Sequence, residues 1–169
     1  MKPAGVLLAI ALAFAIETTL TRFVRVVPAM DLLLVVVVYV GLRSGPVTGL
    51  LAGTVAGLVQ DYGLSNSVIG IGGLAKTVVG FVAGVVGTQF IVAQPFTRFV
   101  VFSGATVLHQ AVTIGLGVLL DLRSFGTPYA AVVGEALVNA TLGIVMFHVV
   151  ELFPGAVGRR RAARIRPRH

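Results

Sequence analysis

The sequence predicts an all-α integral membrane protein with six transmembrane helices in one bundle. Hydrophobic residues make up 57% of the 169 residues and charged residues only 11%, whereas charged residues make up about 25% of an average soluble domain. A soluble fold of this size leaves about a third of its surface in water, which so apolar a chain cannot cover with polar groups. The apolar residues fall into six segments separated by polar, Gly or Pro residues.

The first segment is expected to be a retained helix and not a signal peptide. It follows Lys2, as the apolar part of a signal peptide would. However, Glu17-Thr-Thr-Leu-Thr-Arg22 and further apolar segments follow it, without a clear small-residue cleavage site. The six segments are expected to cover approximately Pro3–Leu20, Val27–Leu42, Pro46–Gln60, Val68–Val92, Arg98–Leu120 and Pro128–Phe153.

The second and third segments are shorter than the roughly 20 residues that a membrane helix needs. Between them lies Arg43-Ser-Gly-Pro46, in which Ser-Gly and Gly-Pro are turn signals and Pro suits the first turn of a new helix. A merged helix would place Arg43 near the bilayer centre, at a cost of about 3 kcal/mol. We therefore expect two short helices joined by a tight turn, with a five-helix topology as the alternative.

The third segment carries a glycine at every fourth position, which places these residues on one helix face: Gly45, Gly49, Gly53 and Gly57. Small residues let membrane helices approach closely. We expect this helix-packing face to lie inside the bundle; the alternative is a surface that receives a partner protein. Gly80 and Gly84 repeat the spacing in the fourth segment.

The fifth and sixth segments hold His109, Gln110 and His148. These residues form no metal-ligand spacing with one another or with carboxylates on one helix, so we expect core hydrogen bonds and no metal or other cofactor. The chain has no Cys, and it lacks nucleotide fingerprints, nucleophile motifs and paired catalytic carboxylates. We therefore expect no catalytic residues and no enzyme activity.

Polar residues in or beside the apolar segments are expected to form a binding or structural cluster towards the outer side: Glu17, Asp31, Asp61, Lys76, Glu135 and Asn139. Lys76 and Glu135 each lie about eight residues inward from an outer helix end, about 12 Å at 1.5 Å per residue. Isolated charges at such depth are costly and are normally paired inside the bundle. We therefore expect Lys76 to pair with Glu135 and not with Asp61; the alternative is a polar pocket for a ligand or a partner's side chain.

Basic residues orient the predicted bundle. In a six-helix topology one side carries Lys2, Arg43, Arg98 and the arginines of the tail, and the other carries Arg22, Arg25 and Arg123. This bias predicts that both termini are cytoplasmic. We expect a membrane domain over residues 1–153 and a basic cytoplasmic tail over residues 154–169. The tail is expected to contact anionic lipids and not nucleic acid, through Arg159, Arg160, Arg161, Arg164, Arg166 and Arg168.

Five short motifs follow one another along the chain: Pro28-Ala-Met-Asp-Leu-Leu-Leu34, Tyr39-Val-Gly-Leu-Arg-Ser-Gly-Pro46, Gly49-Leu-Leu-Ala-Gly-Thr-Val-Ala-Gly-Leu-Val-Gln-Asp61, Gly73-Leu-Ala-Lys-Thr-Val-Val-Gly80 and Glu135-Ala-Leu-Val-Asn139. In their order and spacing these motifs resemble the MreD family of rod shape-determining proteins. Together they extend over nearly the whole chain, to about Phe153. The family more often has Pro directly before the Asp that corresponds to Asp31, and this departure concerns only the local turn geometry.

The resemblance implies a non-enzymatic scaffold of the bacterial cell-elongation (rod) complex in the inner membrane. Such a scaffold binds an MreC-like membrane protein and helps to couple MreB filaments to the peptidoglycan synthases, and hence to cell-wall synthesis and cell shape. The resemblance also implies a fold similar to the substrate-binding components of energy-coupling-factor transporters. The alternative function is therefore a small-solute-binding component of a vitamin-type transporter, which would use Ala11-Leu-Ala-Phe-Ala15 to dock its transporter partner.

Overall fold

The computed structural model describes residues 3–23, 30–63, 70–90, 92, 94–120 and 129–152, without the side chains of residues 21–23. These residues form six α-helices and no strand: α1 (Pro3–Phe23), α2 (Leu32–Ser44), α3 (Pro46–Gly63), α4 (Ile71–Gln89), α5 (Pro95–Leu119) and α6 (Tyr129–Leu152). The prediction of six helices is confirmed. The arginines of the tail lie outside the described residues, as do Lys2, Arg25 and Arg123; for Arg22 the structure describes only the backbone.

Four of the six helices are long and apolar enough to cross a membrane. They are α4, α5, α6 and the part of α1 over Pro3–Leu20. Many large apolar side chains on these helices are exposed, among them Leu8, Phe81, Val107 and Val133. Exposed apolar side chains of this kind suit a surface whose solvent is lipid.

The short helix α2 is the centre of the bundle. Every residue from Leu33 to Gly41 is buried, and α2 packs against all five other helices. A helix that is apolar all round is buried on all sides, which agrees with the run Leu-Leu-Leu-Val-Val-Val-Val at its start. Its 13 residues are sufficient for a core position, because the helix does not have to span the whole bilayer.

A tight turn at Gly45 separates α2 from α3, so the merged five-helix alternative is wrong. Gly45 has φ +91°, a backbone conformation that side chains with a Cβ rarely adopt. Its N–H donates to the carbonyl of Gly41 at 2.9 Å, and Pro46 begins α3 in the next position. Gly45 therefore serves the turn, although the spacing predicted that it belongs to the packing face of α3.

The other three glycines of the predicted packing face pack against α4. A Cβ added at Gly49 or Gly53 would overlap the backbone carbonyl of Gly80 or Lys76, and one at Gly57 would overlap the backbone of Gly73. The two helix backbones thus approach more closely than any other residue would permit. Gly49, Gly53 and Gly57 therefore lie inside the bundle, where α4 covers the face that they form.

Candidate functional site

Apart from Arg98, the polar side chains that are buried among the described residues gather near one end of the bundle. Chain reversals place the end of α1, the starts of α2, α4 and α6 and the end of α3 together there. We call this region the polar end and define it by the buried or half-buried residues Glu17, Asp31, Lys76, His109, Glu135 and Asn139.

Asp31 is the hub of the polar end. Its Oδ1 accepts a hydrogen bond from the N–H of Leu34 at 2.8 Å and so caps α2. Its Oδ2 accepts from the Lys76 ammonium at 2.5 Å, and its own N–H donates to Oδ1 of Asn139 at 3.1 Å. One residue thereby fixes the start of α2 to both α4 and α6.

The predicted ion pair between Lys76 and Glu135 is wrong. Lys76, which is only 1% exposed, pairs with Asp31 instead. Glu135 accepts a hydrogen bond from Nε2 of Gln110 on α5, at 2.5 Å. Depth counted along each helix could not reveal this pairing, because α2 is short and starts inside the bundle, where its capping carboxylate reaches the level of Lys76.

His109 contacts the same ammonium, which confirms the prediction that it bonds to another helix. Its Nε2 lies 3.3 Å from Nζ of Lys76. An ammonium has only donors, so Nε2 accepts and the proton of a neutral ring is on Nδ1. Nδ1 is buried and has no hydrogen-bond partner among the described residues. His148, in contrast, is exposed, and its Nδ1 lies 3.0 Å from the carbonyl oxygen of Ile144 in its own helix.

Asn139 connects three helices. Besides accepting from Asp31, its Nδ2 donates to Oγ1 of Thr106 at 3.2 Å, and Thr106 in turn donates to the carbonyl of Phe102 at 3.0 Å. Both Asn139 and Thr106 are fully buried. An amide that joins two helices in a dry environment fixes their relative rotation as well as their distance.

Glu17 gives α2 a second cap from outside that helix. Its Oε2 accepts from the N–H of Leu33 at 3.3 Å, and its Oε1 accepts from Nε2 of Gln60 at 2.6 Å. Glu17 is only 3% exposed. The carboxylate therefore holds α1, the start of α2 and the end of α3 together.

Asp61 caps the next helix and does not contact Lys76. Its Oδ2 accepts from the N–H groups of Gly70 at 2.8 Å and Gly73 at 3.1 Å. These N–H groups lack helical partners at the start of α4, and a carboxylate there also interacts favourably with the helix dipole. A Cβ at Gly72 would overlap this carboxylate, so the glycines of this segment make room for the cap.

Three potential metal ligands converge at the polar end. One donor atom each from Asp31, His109 and Glu135 lie within 4.8 Å of one another. The three residues belong to the start of α2, to α5 and to α6. The sequence lacks a metal-ligand spacing within one helix. Such a spacing is not required here, because the packing of the bundle brings ligands from three different helices together.

Three polar residues that hydrogen-bond to other helices were not expected from the sequence: Gln60, Thr106 and Glu151. Each is a polar residue within an apolar helix, and this could have served as the signal. Glu151 lies at the opposite end, where its Oε1 accepts from Nη2 of Arg98 at 2.7 Å. The Arg98 guanidinium also lies over the ring of Phe147, 4.3 Å from its centroid.

The comparisons with known proteins agree with the resemblance found in the sequence. The family described as rod shape-determining protein MreD matches residues 3–156 of the chain. Neither a curated protein nor a solved structure matches it, so the expected similarity to energy-coupling-factor components is not supported. The family match and the four long apolar helices together indicate a multi-pass bacterial membrane protein. The chain belongs to the MreD family of rod shape-determining proteins.

Proposed function

We propose that this protein is a non-enzymatic scaffold of the bacterial rod complex in the inner membrane. It holds an MreC-like membrane protein and helps to couple MreB filaments on one side to peptidoglycan synthases on the other. Family membership supports a role in rod shape determination. The hydrogen bonds of Asp31 support a structural role for the buried polar groups, because they hold the start of α2 to α4 and α6.

A scaffold needs an outer surface for its partner, and the glycine face of α3 is already covered by α4. A groove between α4 and α5 offers such a surface, with a volume of about 220 Å³. Its lining is apolar and includes Ala83, Val100, Gly104 and Ala105. A Cβ added at Gly104 would meet nothing within 4 Å. Small residues on a lipid-facing groove let another helix approach closely, so we assign this groove to the transmembrane helix of the MreC-like partner.

The membrane orientation proposed here places both termini in the cytoplasm. Arg43 and Arg98 lie at the ends of α2 and α5 opposite the polar end, and basic residues favour the cytoplasmic side. The tail that follows α6 adds the six arginines from Arg159 to Arg168, which we assign to anionic lipid headgroups. The chain has no native cysteine, so single cysteines at Ser124 and Ala163 report sidedness cleanly. In intact cells a membrane-impermeant maleimide should label Ser124→Cys and leave Ala163→Cys unlabelled; the reverse pattern would invert the orientation.

Purification from native membranes tests the scaffold function. An affinity-tagged copy of the full chain is extracted in mild detergent, and the proteins that it retains are identified by mass spectrometry. The expected result is recovery of an MreC-like protein, with MreB or peptidoglycan synthases bound directly or through it. Recovery of transporter ATPases without an MreC-like protein would contradict the scaffold and favour the solute-binding alternative.

A further inference from the structure

Two lone pairs meet at one cation in the polar end. The Lys76 ammonium lies 2.5 Å from Oδ2 of Asp31 and 3.3 Å from Nε2 of His109. Since lysine offers only donors, both of these atoms present lone pairs to it. The position of Nζ is thus a cation position built from one carboxylate and one neutral imidazole.

A third potential ligand lies near the same two residues. An oxygen of Glu135 lies within 4.8 Å of the donor atoms of Asp31 and His109. Carboxylate oxygens and imidazole nitrogens bind Zn²⁺ at about 2.0–2.2 Å, which puts tetrahedral ligands roughly 3.5 Å apart. The three side chains therefore have to draw together by about 1 Å to hold such an ion.

Charge and burial also favour a divalent cation. When both carboxylates are ionised, they and a neutral imidazole carry two negative charges, whereas the Lys76 ammonium supplies one positive charge. Uncompensated charge is costly away from water. The buried Nδ1 of His109 has no hydrogen-bond partner among the described residues. Among those residues the ring therefore makes its polar contact through Nε2, which faces the Lys76 ammonium.

We propose that Asp31, His109 and Glu135 form a binding site for a divalent transition metal of the zinc class. The Lys76 ammonium occupies this cation position in the metal-free protein and competes with the metal. Binding of the metal displaces the ammonium from Asp31 and so breaks the ion pair that joins the start of α2 to α4.

Cobalt tests the site directly, because Co²⁺ bound by nitrogen and oxygen ligands absorbs visible light and Zn²⁺ displaces it. The full chain is purified in detergent with a tag that contains no histidine. We expect the wild type to bind one Co²⁺ per chain and to release it to Zn²⁺. His109→Gln and Glu135→Gln should each weaken binding by more than about 100-fold, the upper end of the roughly 10–100-fold loss that an outer-shell partner causes. His148→Gln is the matched control, since His148 is exposed and its hydrogen bond among the described residues lies within α6, and this variant should bind like the wild type.

Two further measurements separate the site from general effects on folding. Zn²⁺ should raise the melting temperature of the wild type and leave that of Glu135→Gln unchanged; Glu135 is only half-buried, so this variant should fold. Lys76→Met removes the competing ammonium and should bind Co²⁺ at least about tenfold more tightly. Absence of Co²⁺ binding by the wild type would overturn the proposal. Binding that survives both His109→Gln and Glu135→Gln would overturn it as well, and equal affinity in Lys76→Met would overturn the competition.

Discussion

Asp31 and Lys76 form a buried ion pair with 2.5 Å between Oδ2 and Nζ, although 45 residues separate them in the chain. The pair joins the capped start of the central helix α2 to the first turns of α4. Each buried charge offsets part of the desolvation cost of the other. The stability of the whole bundle should therefore depend on keeping or removing both charges together.

Loss of Lys76 alone should be severe. Lys76→Met leaves Asp31 buried without its cation, and breaking a buried pair in this way costs about 3–5 kcal/mol. Unfolding in detergent, followed by circular dichroism, measures the loss. Asp31→Asn in the same chain removes the stranded charge and retains a capping side chain, so the double variant should recover part of the stability. A double variant no more stable than Lys76→Met would contradict the compensation.

Gly53 should not tolerate a methyl group. Gly53→Ala places a Cβ into the carbonyl of Lys76 and forces α3 away from α4, with a loss of about 1–3 kcal/mol or more from overpacking. Gly104→Ala is the matched control, because its Cβ meets nothing within 4 Å and alanine is the better helix former by about 0.8–1 kcal/mol. The melting temperature in detergent should fall for the first variant and hold or rise for the second. Equal effects would contradict the close packing of α3 on α4.

The hydrogen bonds of Asn139 should stabilise the bundle. Asn139→Leu removes the acceptor for the N–H of Asp31 and the donor to Thr106. Buried groups left without partners cost about 1–3 kcal/mol, and the same unfolding assay measures this loss. Thr141→Val is the control, since the exposed Thr141 bonds only to the carbonyl of Leu137 in its own helix. A loss in Thr141→Val that matches the loss in Asn139→Leu would contradict a specific role for Asn139.

Arg98 should contribute more to the stability of the bundle than Arg43, although both residues lie at the end of the bundle opposite the polar end. Arg98 is buried, pairs with Glu151 and lies over Phe147, whereas Arg43 is exposed and lies 5.9 Å from the ring centroid of Tyr39. Arg98→Lys loses the planar fork and the stacking and should lower the melting temperature clearly. Arg43→Lys should change the melting temperature little. A larger loss for Arg43→Lys than for Arg98→Lys would contradict the larger contribution of Arg98 to stability.

Local signals in the sequence predicted the helices and the α2–α3 turn well. Apolar runs, the Gly45-Pro46 pair and the regularly spaced glycines each determine a single helix, a turn or the contact between two neighbouring helices. Such local features can be predicted from the spacing of residues along the sequence. The predicted boundary at Val27 was too early because Asp31 caps α2 and the helix starts after it. Gly45 was assigned to a face on spacing alone, although its backbone conformation belongs to a turn.

Five of the six residues that define the polar end belong to the cluster expected from the sequence. His109 was expected only to form core hydrogen bonds, and the contacts among these residues were not predicted. Lys76 was correctly expected to need an acid, but only Glu135 and Asp61 were weighed as its partner, and Asp31 was not. Its pairing with Asp31 depends on how deep α2 starts in the bundle, which no residue count along one helix reveals. For the same reason, the convergence of Asp31, His109 and Glu135 from three separate helices could be found only from the structure.

The most direct test of the scaffold account compares two glycines of the same helix. Gly104 lies in the α4–α5 groove and Gly115 does not, yet an added Cβ would meet nothing within 4 Å at either position. Leucine at Gly104 fills the groove, whereas leucine at Gly115 does not. The measurement is the amount of MreC-like protein that co-purifies with each tagged variant at matched expression and melting temperature. The account predicts that Gly104→Leu loses this partner and Gly115→Leu retains it; full retention by Gly104→Leu would contradict it.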